Sequence, residues 1–160
     1  MLTKEQIVEK MSSAKESSGV GYYEVYILED LGLVIKSYQR IDDYIKDVRK
    51  HNDLDQHNLL PKMYNNFEHR DRFIIVVEKV RCFDEEVLKE VNNPEKGYDN
   101  QYFSLLEERV EDGDFHYKVV EYQRALTEFG YTLFDIHGGN FGESADGTFV
   151  CLDEGCLVKF

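Results

Sequence analysis

Residues 135–142 read Asp-Ile-His-Gly-Gly-Asn-Phe-Gly; a turn at Asp146-Gly147 follows, then Phe149-Val-Cys-Leu-Asp153-Glu-Gly155. Asp135 and Asn140 stand five residues apart on one glycine-rich loop. Asp135 comes after an apolar pair, Leu133-Phe134, and before Gly138-Gly139, which let the backbone turn tightly. A second acid, Asp153, closes a short apolar strand two residues before Gly155. One carboxylate placed this way can orient a hydroxyl. An amide oxygen and a second carboxylate make a hard-ligand pair that suits Mg²⁺, a cation that keeps several waters. The competing reading is a polar glycine-rich loop that holds acids and amides by chance.

Outward from this loop, the chain is punctuated clearly. Short strands are predicted near 131–134, 140–143 and 148–152. Val119, Val120, Tyr122, Leu126 and Phe129 predict a helix over 115–129 with Gly130 as its C-cap. Two further helices are expected, one capped by Asp84 and stopping near Asn92-Asn93-Pro94, one carrying Tyr102, Leu105, Leu106 and Val110. Toward the N-terminus, Thr3 with Gln6 forms a capping-box pattern for a helix over 4–16. Residues 22–28 and 33–38 are β-branched and aromatic around Glu29-Asp30-Leu31-Gly32, a hairpin. Ile41, Tyr44, Ile45 and Val48 fall at i, i+3, i+4 and i+7, one face of a helix over 41–52. Strands near 62–68 and 73–80 follow. The fold class is therefore α+β.

At this point the chain resembles a minimal member of the protein-kinase-like superfamily. Asp135-x-His137-x-x-Asn140 is closer to the aminoglycoside and choline kinase branch than to Ser/Thr protein kinases, where lysine usually stands two after the aspartate. The resemblance implies a bilobal fold: residues 1–80 as a small β-rich N-lobe with one main helix, and 81–160 as a reduced, mostly helical C-lobe. A hinge is expected near 79–84. It also implies roles: Asp135 as catalytic aspartate, Asn140 and Asp153 as metal ligands, Lys36 in Val34-Ile35-Lys36 as the phosphate-contacting lysine. Glu78 and Val80 would flank the adenine, and Gly19 and Gly21 would lie in a phosphate loop. ATP and Mg²⁺ are the implied cofactors. The implied activity is transfer of the γ-phosphoryl group to a protein hydroxyl, to the chain itself or to a small hydroxyl compound. The alternative is a catalytically inactive pseudokinase module that binds a protein partner.

Several positions depart from the family pattern. Ser18-Gly19-Val20-Gly21-Tyr22-Tyr23 has Tyr23 where a third glycine is usual. The helix after Lys36 has no glutamate; Asp43 and Asp47 are the nearest substitutes, each with a competing reading as a solvated surface charge. Lys36 itself has a competing reading as an edge-strand lysine with its head in water. Phe160 follows Gly155 by five residues, so the expectation is a C-lobe without an activation segment or substrate platform. His137 is read as a structural hydrogen-bonder of the loop.

Composition bounds the remaining choices. A net charge of −13, from 32 acidic and 19 basic residues, opposes a nucleic-acid footprint and leaves a basic protein partner open. Hydrophobic content of 42% supports a packed core. Cys82, Cys151 and Cys156 lack Cys-x-x-Cys spacing, so free thiols in a reducing cytosol are expected. No apolar run reaches the roughly 20 residues needed to span a bilayer, and the first residues lack a signal-peptide core. A cytoplasmic protein without membrane contact is the expectation.

Overall fold

Thr3 opens the first helix by the chemistry its sequence implies: its hydroxyl accepts from the Gln6 amide at 3.3 Å, and Gln6 Oε1 accepts from the Thr3 amide at 2.8 Å. The computed structural model describes residues 2–14, 16–17, 22–82, 114–136 and 138–160. Over these the chain is mixed α and β with antiparallel sheets. It divides into two compact units, Met1–Gln56 with Pro61–Lys79, and His57–Leu60 with Val80–Phe160.

In the first unit, helix α1 spans Lys4–Ser13 rather than the expected 4–16. Ser12 and Ser13 turn their hydroxyls back to the carbonyls of Val8 and Lys10, which competes with helix propagation. Ala14 is extended, and Glu16–Ser17 form an edge strand, β1. Strands β2 (Tyr23–Leu28) and β3 (Leu33–Tyr38) make the expected hairpin, with Tyr23 opposite Tyr38 and Leu28 opposite Leu33. Gly32, at φ +61°, supplies the left-handed turn between them. Helix α2 spans Ile41–Leu54, and strands β4 (Met63–His69) and β5 (Arg72–Glu78) complete the sheet in the order β1-β2-β3-β5-β4.

Side chains alternate across this sheet, so each face has its own core. On one face Ile7 of α1 packs with Leu28, Ile35, Phe67, Ile74 and Val76. Truncating a buried residue of this kind to Ala typically costs about 2–5 kcal/mol. On the other face Tyr23, Tyr38, Ile75 and Val77 meet Tyr44 and Val48 of α2. Here the predicted helix face is corrected. Ile41 is half exposed, whereas Asp47, His51 and Leu54 are buried. Apolar spacing cannot anticipate a buried acid. Asp47 is accommodated because its carboxylate accepts from Tyr38 OH at 2.9 Å and from Lys50 Nζ at 3.2 Å.

The second unit contains strand β6 (Arg81–Cys82), helix α3 (Asp114–Glu128) and strands β7 (Tyr131–Leu133), β8 (Phe141–Glu143), β9 (Phe149–Cys151) and β10 (Leu157–Lys159). Gly130, at φ +77°, ends α3 as expected. β7 pairs antiparallel with β10, while β6, β8 and β9 form a second small sheet. Val119, Tyr122 and Leu126 of α3 are buried, as are Phe141, Val150 and Leu157. Phe141 stacks on Phe149 at 5.1 Å, and Tyr122 meets both rings edge-on. The helices expected near 84–92 and 102–110 lie outside the described residues. Among the described residues, no helix is long and apolar enough to cross a membrane.

Candidate functional site

β7 delivers its chain end to the loop. Leu133 is buried, Phe134 is 70% exposed, and the Phe134 amide makes a ladder bond to Cys156 O at 2.7 Å. Asp135 then takes φ +51°. That left-handed conformation costs an L-residue roughly 1–2 kcal/mol, and aspartate is among the few side chains that adopt it routinely. Such strain persists where the surroundings over-determine it. Asn140 does this from the end of the Gly138–Asn140 3₁₀ turn: its Nδ2 donates to Asp135 O at 2.9 Å.

Asn140 is also the joint to the second acid. Its carbonyl accepts from the Leu152 amide at 2.7 Å, beside the Phe141–Cys151 pair of the β8–β9 hairpin. Asp153 follows directly. Its Oδ1 accepts from the Gly155 amide at 2.9 Å, capping a 3₁₀ turn over Glu154–Cys156 that feeds β10. β10 returns to β7, with Leu157 opposite Leu133. The backbone of Asp135 is thus tied to the Asn140 side chain, and the Asn140 carbonyl to the segment that leads into Asp153, all within one unit.

The donor set matches a hard divalent cation. Donation by Nδ2 fixes the Asn140 carboxamide, so Oδ1 is its acceptor end. The Asp153 carboxylate accepts from the Gly155 amide through Oδ1, and a carboxylate can also be a hard oxygen ligand. An all-protein cage needs more oxygens than these residues supply, whereas Mg²⁺ is usually held by one or two carboxylates with waters and phosphate oxygens. Among the described residues, no group of three or more His, Cys, Asp or Glu side chains is assembled for a metal.

Tyr122 is a contributor that sequence reasoning missed. Its hydroxyl donates to Leu59 O and accepts from the Cys151 amide at 3.3 Å, pinning β9, which leads into Asp153. Burial pushes this phenol well above its ordinary range, so it remains a neutral hydrogen-bonding group. Burial likewise raises the Cys151 thiol well above the usual thiol range, consistent with its donating to Asp153 O at 3.1 Å. In the sequence, Tyr122 fell on the apolar face of α3, which signals a core ring and gives no task to its hydroxyl. Cys151 and Cys156 are free and buried.

The other predicted residues are placed as follows. Lys36 is only 4% exposed, and its Nζ lies 5.2 Å from the Tyr23 ring centroid, a cation–π distance. β3 has neighbours on both sides, so the edge-strand reading of Lys36 does not hold. Tyr38, two residues on and on the same face, anchors Asp47. The Asp43 side chain is 12% exposed, near Arg40 and Lys46. Neither Asp43 nor Asp47 is a fully solvated charge. Glu78 is a clasp: its Oε1 accepts from the Lys62 amide at 3.1 Å, and its own amide donates to Lys62 O at 2.9 Å. Val80 is buried at the start of the second unit. Gly19, Gly21 and His137 lie outside the described residues. No protein-family model matches the chain, and no curated protein matches it at a significant level.

Proposed function

We propose that the chain is an ATP- and Mg²⁺-dependent phosphotransferase of bilobal kinase-like fold. The observation that carries this reading is the double tie made by Asn140, through Nδ2 to Asp135 O and through its carbonyl to the Leu152 amide. It ties the backbone of Asp135, whose carboxylate suits orienting a hydroxyl, to Asn140 and to the segment leading into Asp153, whose carboxamide and carboxylate suit Mg²⁺. Asp135 orients the acceptor hydroxyl; positioning matters more than basicity in phosphoryl transfer. Asn140 and Asp153 hold the cation, which when bound neutralises charge on the nucleotide phosphates. Lys36 contacts those phosphates, and a lysine already withdrawn from water is suited to that role. The Glu78 carboxylate is committed to Lys62, which leaves Val80 to line the base. The acceptor is a polypeptide hydroxyl, on the chain itself or a partner, or a small hydroxyl compound.

The test is transfer of labelled γ-phosphoryl from ATP by the wild type and by Asp135→Asn. The expected loss is about 10²-fold or more. Wild-type transfer undiminished in Asp135→Asn would reject the role of Asp135. The absence of a glutamate in the helix after Lys36, with Asp43 and Asp47 as the nearest substitutes, favours a second reading. That reading is a nucleotide-binding module that recognises a protein without turnover. Nucleotide binding with no transfer to any acceptor would identify it.

A further inference from the structure

We infer that Gln123, half-buried on α3, is a positioning residue for Asp135, resting on the role proposed above for that carboxylate. The geometry begins with an open edge. Even-numbered residues of the β7 segment face β10: the Phe134 amide bonds to Cys156 O, and the Phe160 amide bonds to Gly130 O. In an antiparallel ladder alternate residues point to opposite edges, so the amide of Leu133 and the carbonyl of Tyr131 face away from β10. β7 has one strand neighbour in its sheet.

The Gln123 carboxamide fills this edge as a strand residue would. Oε1 accepts from the Leu133 amide at 2.8 Å, and Nε2 donates to Tyr131 O at 3.4 Å. The remaining capacity of the carboxamide is also used. Oε1 accepts from Thr132 Oγ1 at 3.3 Å, and Nε2 donates to Thr127 Oγ1 at 3.1 Å. The Thr127 hydroxyl in turn donates to Gln123 O at 2.8 Å, tying the side chain to its own helix. Two donors and two acceptors are all a carboxamide has, so its orientation is fixed. Leu133 lies two residues before Asp135. Gln123 therefore sets where β7 stops and the left-handed turn at Asp135 begins.

The experiment compares Gln123→Ala, Gln123→Glu and Val119→Ala. Val119→Ala is a control that loosens α3 packing at a buried site one turn earlier and removes no side-chain hydrogen bond to β7. The first readout is the NMR signal of the Asn140 side-chain amide, which reports on Asp135 O directly, together with exchange of the Leu133 amide. Gln123→Ala is expected to displace the Asn140 signal and to speed Leu133 exchange about 10-fold or more. Gln123→Glu keeps the acceptor for Leu133 and is expected to hold Leu133 exchange nearer the wild type; should the alanine variant not fold, Gln123→Met, which removes both polar ends at similar length, takes its place with the same expected displacement. Val119→Ala is expected to leave the Asn140 signal in place. An undisplaced signal in Gln123→Ala, or an equal displacement in Val119→Ala, overturns the inference. The second readout is kcat against KM for ATP: kcat should fall in Gln123→Ala with KM changed less than about threefold. An unchanged kcat beside a displaced signal overturns the link to Asp135. A wild type without transfer defeats the phosphotransferase reading alone, and the NMR readout then decides the positioning claim.

Discussion

Asp135 holds φ +51°, and that dihedral separates two substitutions that remove the same carboxylate. Asparagine tolerates the left-handed region and alanine does not, so Asp135→Ala should be less stable than Asp135→Asn by about 1 kcal/mol. Denaturant unfolding of both variants measures this difference, and both should lose transfer. Asp146, in the β8–β9 turn, gives a pH prediction. Hydrogen bonds from the side chains of Ser144 and Thr148, and from the Thr148 amide, hold its carboxyl down at about 2. Its folded pKa is depressed, so its contribution is present above the unfolded value near pH 4 and is lost as pH falls toward 2. Wild type and Asp146→Asn should therefore differ in stability above about pH 4 and converge below it. Thermal melts at stepped pH would show this; a gap that widens on acidification contradicts it.

At the scale of elements, α3 acts on β9 through Tyr122. Tyr122→Phe keeps the ring packing against Phe141 and Phe149 but leaves the Cys151 amide and Leu59 carbonyl without that hydroxyl. The expected cost is about 1–3 kcal/mol of stability, with nucleotide–Mg²⁺ binding weakened because β9 leads into Asp153. Unfolding and binding measured on the same variant test the two parts. A stable Tyr122→Phe with full affinity would show that β9 needs no such pin. The hairpin, α2, the β4–β5 pair and the loop strands were legible because local composition and glycine punctuation define them. β10 was not, since Leu157–Lys159 become a strand only by pairing with β7, 26 residues earlier at Thr132↔Val158. Tyr44 and Val48 of the predicted α2 face pack on the sheet, but the buried Asp47 and His51 were missed because they count as polar in any periodicity.

Across the whole molecule, the spacing of Asp135, Asn140 and Asp153 was legible in the sequence, and what the three residues do is the proposal made above. The supporting parts were not. Gln123 and Tyr122 act through side-chain bonds to strands distant in sequence, and no local pattern marks them. A net charge of −13 makes self-association by charge unfavourable and a basic acceptor or partner the complementary choice. For the ATP binding proposed above, an anionic ligand on an anionic chain is expected to depend on Lys36 and on a cation.

The most direct measurement is the melting temperature of the protein titrated with ATP at millimolar Mg²⁺, repeated with Asp153→Asn and Lys36→Met. A ligand specific for the native state stabilises it by about 2.7 kcal/mol at a hundredfold excess over Kd. The account predicts a saturable rise in Tm for the wild type that requires Mg²⁺, and its loss in both variants. No rise in the wild type at millimolar ATP, or an equal rise in all three proteins, would contradict it.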